Sequence, residues 1–507
     1  MTAERASKVC VDAAPEKPLQ TAHLWGQKDL CWMIVILLIG ALVRVYGLNY
    51  SLWLDEIASS QFAAQPLSTL WSDWSIRETN PPFYYSSLAL WTGLFGTSDL
   101  ALRALSVCIG LASLPLLYLL GRELFGARIG LVAAALVCVS AQHVFYSQQV
   151  RGYILTYTAA TGVMLTTAIL VRLVREGYKT ASFTIWALYV AGNLIAVYTH
   201  TIMVLLPALT ALWLLWACLR GGMSNRPFLV HFALAHGVIL FGWLWWGRIT
   251  WLQMQLPKPN FSWITKPSLP YALRMLLETY VPWAMGSVKY VAALGAGVAM
   301  VAAVIRRPAS SAPMVLFALG VPVILYVMSQ QVPVFLPRTI FWASAAFSLL
   351  VAAGLCTAPR FRALFIATAF AIQIADLVTW WPTRQIEPWR EIVAEIQTTS
   401  PSSLVIADGR GIALALQRYC AAPACHLDIA SVQTHDDERW AGDFALRRIL
   451  TPDAAASELR ARGSVILVNW ASTDPAAEVA GAGAARRKLL VGGLPESLSV
   501  TIWAAQP

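Results

Sequence analysis

Two adjacent carboxylates follow the first long apolar segment of the chain, in the stretch SLWLDEIASSQ at residues 51–61. Charges within an otherwise apolar stretch are costly to desolvate, so such groups favour a partner cation, a bound metal or a proton to exchange. Asp55 and Glu56 are therefore candidates for acid–base chemistry. The alternative is that both carboxylates cap or solvate a helix at a membrane surface.

Two arginines between apolar segments suggest an anionic partner. They are Arg151, in YSQQVRGYIL, and Arg338, in FLPRTIFW. A guanidinium group is always charged and its planar fork matches phosphate oxygens, so the two together could clamp a lipid phosphate. Ordinary phospholipid contact or an ion pair within the protein would explain either arginine alone.

Other polar and aromatic residues could complete a pocket. In ETNPPFYY the two prolines fix the backbone, and Asn80, Tyr84 and Tyr85 could then face a sugar or a lipid, although turn formation alone explains the prolines. His200, in YTHTIM, titrates near neutrality and is a candidate proton carrier or ligand. A hydrogen-bonded histidine at a helix end is the alternative.

The elements that must position these residues are membrane helices. The chain has 507 residues, of which 58% are hydrophobic and 13% are charged. A bilayer core needs about 20 apolar residues per helix, and runs of this kind recur over most of the first 380 positions. We expect an all-α polytopic protein with eleven spans, near residues 30–48, 101–121, 128–145, 153–172, 183–198, 201–219, 229–247, 288–305, 313–329, 339–358 and 363–380.

Charge in the short loops sets the orientation, because Lys and Arg are concentrated on the cytoplasmic side. These residues are Arg122, Arg128, Arg172, Arg175, Lys179, Arg220, Arg226, Arg306, Arg307, Arg360 and Arg362. The longer pieces 49–100, 248–287 and everything after about 381 then face outward. A residue that follows an odd number of spans lies on that outer face. Asp55, Arg151, His200 and Arg338 follow one, three, five and nine spans, so a helix bundle could bring them together.

Three parts of the chain are predicted: a cytoplasmic segment at 1–29, a transmembrane domain at 30–380 and a periplasmic domain at 381–507. In the last part, SSLVIAD, SVILVNW and SLSVTIW alternate with helical stretches, which indicates a small α/β domain. This domain could be an acceptor platform, a lid or a passive appendage. Cys420 and Cys425 lie in it, in YCAAPACHLD, and are a candidate disulfide in an oxidising compartment.

Several function classes find no support in the sequence. The net charge of +10 is explained by the short loops of a membrane protein, so nucleic-acid binding is not expected. No glycine-rich nucleotide loop supports ATP-driven chemistry. Glu56 and His200 are the candidate ligands of a divalent metal ion, but two ligands from separate loops do not define a site. No cofactor is therefore assigned.

A resemblance rests on five motifs in the same order, LWLDE, NPPFYY, YSQQVRGY, YTHT and LPRTIFW, over roughly residues 50–345. The set resembles the polytopic GT-C glycosyltransferases of the lipid A aminoarabinose transferase and protein O-mannosyltransferase clan. The resemblance implies that Asp55, beside Glu56, is a general base. It also implies that Arg151 and Arg338, with Tyr153 close by, bind the phosphate of a polyprenyl-phosphate sugar. The chain departs from the family pattern at Gln149 and Thr339, and it has Asn80 before the double proline.

The resemblance therefore implies transfer of a sugar, with inversion, from a polyprenyl-phosphate donor to a hydroxyl group. The acceptor would be lipid A, another glycolipid, a glycan or a protein at the periplasmic face of a bacterial inner membrane. A transporter or flippase of a lipid-linked glycan is the alternative. The ionisable residues cluster at the outer helix ends, and no inverted repeat is visible, which argues modestly against transport. A non-catalytic scaffold subunit is a third hypothesis.

Overall fold

Long apolar helices occupy the chain up to residue 380, and a mixed sheet flanked by helices follows them. The computed structural model describes residues 26–220, 226–257, 263–420, 425–432, 444, 446, 448–470, 485–488 and 498–504. Most of the predicted N-terminal segment 1–29 lies outside the described residues. The fold-class prediction, helices with a small C-terminal α/β domain, is confirmed.

The first half of the chain contains ten helices among the described residues. They are α1 (Gln27–Val45), α2 (Leu54–Ala63), α3 (Leu67–Leu70), α4 (Phe83–Phe95), α5 (Asp99–Phe125), α6 (Ala127–Cys138), α7 (Ala141–Ser147), α8 (Tyr153–Arg175), α9 (Phe183–Val197) and α10 (Leu205–Arg220). Short 3₁₀ turns at Asp73–Arg77 and Thr201–Val204 join them.

The remaining helices of the membrane part continue to residue 380. They are α11 (Arg226–Met254), α12 (Leu269–Tyr280), α13 (Val288–Arg306), α14 (Pro308–Val315), α15 (Val321–Met328), α16 (Pro337–Ile340), α17 (Ser344–Leu355) and α18 (Arg362–Trp380). A π-helical turn at Leu316–Gly320 joins α14 to α15, and 3₁₀ turns at Phe341–Ala343 and Trp381–Thr383 follow α16 and α18.

Eight helical segments of the described chain are long and apolar enough to cross a membrane, or nine if the bent pair α6 and α7 counts as one span. Two further helices fall on predicted spans: α9 is apolar but has only 15 residues, and α1 has 19 residues with Lys28, Asp29 and Arg44 among them. Every predicted span therefore coincides with a helix. The number eleven itself remains a prediction.

The third predicted span, 128–145, is bent by 67° between α6 and α7. A buried arginine contacts both sides of this break. Arg44 of α1 donates to the Cys138 carbonyl oxygen at 3.0 Å, at the end of α6, and its Nη2 lies 2.8 Å from Nδ1 of His143 in α7. An unpaired guanidinium in an apolar bundle is costly, and a helix end supplies the free carbonyl that it needs.

The α/β domain after residue 380 carries a six-stranded sheet in the order β3-β2-β1-β4-β6-β5. Its elements are α19 (Trp389–Thr399), β1 (Leu404–Asp408), α20 (Arg410–Tyr419), β2 (Asp428–Val432), β3 (Ile449–Leu450), α21 (Pro452–Arg462), β4 (Ser464–Trp470), β5 (Ala485–Lys488) and β6 (Leu498–Ala504). β1 is parallel to β2 and β4, and β2 to β3, whereas β6 is antiparallel to β4 and β5.

One apolar core joins this domain to the predicted outer loop. Buried side chains of α2 and α4, among them Ile57 and Phe62, share a cluster with Trp389 of α19 and Leu414 of α20. The Phe62 ring also packs edge-on against Phe444, with 5.5 Å between centroids. Because α2 carries Asp55 in its first turn, the α/β domain packs directly against the helix that presents the candidate base.

Candidate active site

Asp55 lies between the two arginines that the sequence singled out. Its Oδ2 atom is 3.7 Å from Nη1 of Arg338 and 3.9 Å from Nη2 of Arg151. The Asp55 side chain is 35% exposed, whereas that of Arg151 is 9% exposed and that of Arg338 24%. The structure thus places one accessible carboxylate against two partly buried guanidinium groups, and the Asp55–Arg distances are those of loose ion pairs.

The Arg151 guanidinium is held from behind by neutral groups. Its Nη1 atom donates to the Asp55 carbonyl oxygen at 3.4 Å, to Ser59 Oγ at 3.3 Å and to the Tyr85 hydroxyl at 3.4 Å. Its Nε atom is 3.4 Å from the Tyr153 hydroxyl. These long bonds orient the side chain, and its ion pair with Asp55 is loose at 3.9 Å, so the guanidinium can also bind an anion.

Arg338 is presented by the short helix α16 and stands over aromatic rings. Its guanidinium carbon is 5.0 Å from the ring centroid of Trp263 and 5.8 Å from that of Tyr153. The departure at Thr339 has a local explanation: its hydroxyl accepts the N–H of Leu336 at 3.0 Å and so caps the first turn of α16. Thr339 therefore helps to fix the backbone that carries Arg338.

Glu56 differs from the adjacent Asp55 in its burial. It is fully buried and forms an ion pair with Arg103, whose Nε atom is 3.1 Å from Glu56 Oε1. Glu56 also accepts the N–H groups of Val150 at 2.8 Å and Trp53 at 3.2 Å. The predicted catalytic and metal-binding roles of Glu56 do not fit this position, because its oxygens are committed to a cation and to two backbone donors.

His200 is close to the arginines and stays neutral. Burial, together with the charges of Arg338 and Arg151, lowers the pKa of His200 to about 3. Its Nδ1 atom accepts the N–H of Ile202 at 3.3 Å, so the proton of the neutral ring is on Nε2. A histidine in this state can donate one hydrogen bond but does not carry protons at neutral pH, in contrast to one of its predicted roles.

Two cavities flank Arg338. The first, which we call the aliphatic cavity, has a volume of about 280 Å³, and Asn80, Arg151 and His200 are among its lining residues. Most of its wall is apolar, from Ile202, Val204, Met254, Met328, Val332 and Val334. The cavity thus combines apolar wall residues with two arginines and several uncharged polar groups, among them Thr250 and Gln253.

The second, which we call the aromatic cavity, has a volume of about 320 Å³. Its walls carry the rings of Trp53, Phe145, Tyr146, Trp263 and Trp283 and the amides of Gln142 and Gln149. The two cavities share Tyr153, Trp263, Leu336 and Arg338 as a common wall. Both volumes are near the lower end of the roughly 300–1,000 Å³ that ligand pockets typically have.

Of the remaining predicted pocket residues, one lines a cavity and the other two contact neighbouring side chains behind it. Asn80 lines the aliphatic cavity, and its amide donates to Glu78 at 2.7 Å. Tyr85 is buried and accepts from Arg151, whereas the Tyr84 hydroxyl pairs with Ser106 at 2.8 Å away from both cavities. The two tyrosines therefore support the arginine and the helix packing rather than line the cavity wall.

Two residues of the site were missed by the sequence analysis. Arg103, near the start of α5, follows the same rule that singled out Arg151, because it is an arginine at an outer helix end, and this signal could have found it. Glu387 accepts the N–H of Leu54 at 2.8 Å, immediately before Asp55. Nothing in the local sequence of Glu387 indicates that contact.

Metal ligands and cysteines were also predicted. Within the part of the chain that the structure describes, no group of three or more His, Cys, Asp and Glu side chains could hold a metal ion. A disulfide joins Cys420 to Cys425, at the end of α20, with 5.1 Å between the Cα atoms.

The comparisons with known proteins agree on the fold. The model of the family described as dolichyl-phosphate-mannose-protein mannosyltransferase matches residues 79–246. The apo crystal structure of ArnT from Cupriavidus metallidurans is 15% identical, with a TM-score of 0.60 over 95% of this chain and 100% of that one. The crystal structure of the same protein bound to undecaprenyl phosphate is 12% identical over the same shares of both chains, with a TM-score of 0.58. No curated protein sequence matches the chain. The resemblance seen in the sequence is thus confirmed, and the chain has the GT-C fold.

Proposed function

We propose that this chain is an inverting glycosyltransferase that moves a sugar from a polyprenyl-phosphate donor to a hydroxyl acceptor at the outer face of a bacterial inner membrane. The observation that carries the proposal is the placement of Asp55, an accessible carboxylate within 4 Å of the guanidinium groups of both Arg151 and Arg338. A general base next to a phosphate-binding pair is what transfer from a sugar phosphate requires.

In the proposed reaction, Asp55 accepts the proton of the acceptor hydroxyl as that oxygen attacks the anomeric carbon. The bond from the anomeric carbon to the phosphate oxygen breaks on the opposite side, so the configuration inverts. Polyprenyl phosphate leaves with the bonding electron pair, and Arg151 and Arg338 stabilise its added negative charge. General-base assistance typically contributes ~10²- to 10⁴-fold, so the arginines must supply a further part of the acceleration.

The two cavities suit the two parts of such a donor. The aliphatic cavity offers apolar side chains to an isoprenoid chain, and Arg151, His200 and Arg338 also line it, so the phosphate would lie beside them. The aromatic cavity offers ring faces and neutral amides, which are the groups that bind sugar rings. Because Arg338 belongs to both walls, the reacting bond would lie beside it.

Fold similarity supports the same donor class. The ArnT structure with a TM-score of 0.58 is bound to undecaprenyl phosphate, a lipid of the type proposed here. The apolar helices and the arginine-rich short loops support a multi-pass inner-membrane protein, with the α/β domain and Asp55 on the periplasmic side. The acceptor would then be a glycolipid such as lipid A, a glycan or a protein.

Mass spectrometry of envelope glycolipids, glycans and proteins from cells with and without the protein tests the proposal. A product that carries one added sugar should appear with the wild-type chain and disappear with Asp55→Asn. Asp73→Asn is a matched control, because Asp73 is an exposed carboxylate of the same loop that pairs with Arg248. A wild-type product profile with Asp55→Asn would overturn the proposal, and relocation of an unchanged lipid-linked glycan would indicate transport.

A further inference from the structure

The segment that leads from α1 to Asp55, residues 47–54, is held by residues that follow the last membrane helix. The Leu54 N–H donates to Glu387 Oε2 at 2.8 Å, and the Leu52 N–H donates to the Tyr419 hydroxyl at 2.6 Å. Glu387 lies in the connection between α18 and α19, and Tyr419 is the last residue of α20. Two backbone N–H groups of the segment therefore donate hydrogen bonds to side chains that are more than 330 residues away in the sequence.

Further contacts link the same two parts of the chain. The Arg390 N–H donates to Ser51 Oγ at 3.1 Å, and the Arg390 guanidinium donates to the Asn49 carbonyl oxygen at 3.4 Å. Arg384 similarly donates to the Gly47 carbonyl oxygen at 3.4 Å. The connection after α18 and the first turn of α19 thus both contact residues 47–54.

The network is anchored to the membrane part through Asp99, at the start of α5. Asp99 is 7% exposed and accepts from Arg390 at 2.6 Å, from Arg418 at 2.7 Å and from the Tyr419 hydroxyl at 2.8 Å. Two arginines and a tyrosine on one buried carboxylate make this joint stronger than a single exposed ion pair would be. The groups that hold residues 47–54 are therefore fixed to the bundle.

The contact at Leu54 supplies an acceptor that the residue before α2 cannot provide, in addition to the Glu56 carboxylate that accepts the Trp53 N–H. The first N–H groups of a helix have no partner within the helix, and a Ser, Thr, Asp or Asn at the preceding position usually accepts one of them. That position in α2 is Trp53, which has no side-chain acceptor, and its side chain caps nothing. Glu387 accepts the Leu54 N–H instead, one residue before Asp55, and is itself held by the Trp389 indole N–H at 2.7 Å.

We propose that Glu387 is a positioning residue for Asp55: by capping the first turn of α2, it fixes the carboxylate relative to Arg151 and Arg338. The α/β domain is then part of the catalytic apparatus through Glu387 and Tyr419. This inference rests on the proposed function, since it assigns Asp55 the work of a base. A misplacement of a reacting group by about 1 Å can cost as much as 10²-fold in rate, so the cap matters for turnover.

Glu387→Ala and Glu387→Gln test the proposal by kinetics in the full-length protein. The alanine variant removes the acceptor and should lower kcat about 10- to 100-fold, with KM for the lipid-linked donor nearly unchanged, because Arg151 keeps its contacts with Tyr85 and Tyr153 and Arg338 lies on α16. The glutamine variant keeps a carbonyl oxygen for the Leu54 N–H and should restore most of kcat. Glu395→Ala is the matched control, because this carboxylate of α19 contacts Thr399 of its own helix.

Hydrogen–deuterium exchange of peptides that cover residues 48–56 tests the cap without any activity. Glu387→Ala should speed exchange there and leave α5 and α8 unchanged. Unchanged exchange together with unchanged kcat would overturn the proposal, and so would a kcat loss that follows a general loss of thermal stability without rescue by Gln. Full activity of Asp55→Asn would instead refute the proposed function, and the exchange result would still report on the cap.

Discussion

Glu56 and Arg103 form a fully buried ion pair, with Arg103 Nε 3.1 Å from Glu56 Oε1, next to the half-exposed carboxylate of Asp55. The two adjacent carboxylates of one helical turn therefore have different roles, one in packing and one at the candidate site. Glu56 ties the start of α2 to α5 and to the Val150 backbone, while Asp55 faces the arginines. This division predicts opposite phenotypes for the two carboxylates.

Glu56→Gln should destabilise the protein by about 3–5 kcal/mol, because it leaves the Arg103 charge buried without its partner. Asp55→Asn should change stability little, since Asp55 makes only loose ion pairs at a partly exposed position. Thermal unfolding of the purified proteins in the same detergent compares the two variants. Equal midpoints for Glu56→Gln and the wild type would show that the pair is not structural.

The sequence predicted the membrane architecture because hydrophobic length and loop charge are strong, local signals. Every predicted span coincides with a helix, but the bend between α6 and α7 was missed. No proline or glycine stands at residues 139–140, and the contacts found at the break are with Arg44, about 95 residues earlier in the chain. A tertiary contact of this kind leaves no trace in local hydropathy.

The sequence could also place Asp55, Arg151 and Arg338 on one face, because the number of spans fixes the side of the membrane. It could not separate Asp55 from Glu56. Neighbouring helical residues point about 100° apart, and which one is buried depends on the partner that packs there, here Arg103. The contact between Glu387 and Leu54 could not be predicted either, because it joins positions that are 333 residues apart in the sequence.

Arg338→Ala should lower kcat/KM for the lipid-linked donor about ten- to a hundred-fold, through a higher KM and a lower kcat, because charge-assisted bonds to phosphate contribute ~1.5–3 kcal/mol. Arg338→Lys keeps the charge but loses the planar fork, so it should fall between Ala and the wild type. Initial rates at varied donor and fixed acceptor concentrations measure the effect. A defect confined to the KM of the acceptor would contradict the phosphate role.

His200 should contribute no titration to the pH profile of activity between about pH 5 and 8. Burial and the neighbouring arginines lower the pKa of His200 to about 3, so the ring is neutral throughout this range. His200→Gln should reduce the rate modestly and leave the shape of the profile unchanged. If the wild-type rate changes with pH near 6.5 and this variant loses that change, His200 carries a proton.

Glu387 should give the stability of the protein a specific pH dependence. Burial, together with the nearby carboxylates of Asp55 and Glu56, raises the pKa of Glu387 from its ordinary value of 4.5 to about 7. A raised pKa means that the folded protein binds this proton more tightly than the unfolded chain does. Its stabilising contribution is therefore complete below about pH 4.5 and decreases as the pH rises to about 7.

Glu387→Gln cannot ionise, so its thermal midpoint should rise relative to the wild type between pH 5 and 7 and keep a constant difference above that range. Midpoints measured at several pH values in one detergent provide the comparison, with Glu395→Ala as the control on α19. A difference that does not change with pH would show that Glu387 is not the titrating group.

The most direct test of the account is a single-turnover reaction with purified protein, a polyprenyl-phosphate sugar donor and an envelope extract as acceptor. Asp55→Asn should release polyprenyl phosphate at least ~10²-fold more slowly than the wild type, because the base is lost. Its affinity for polyprenyl phosphate should be equal or higher, because Arg151 and Arg338 no longer face a carboxylate. Release at the wild-type rate by Asp55→Asn would contradict the central claim.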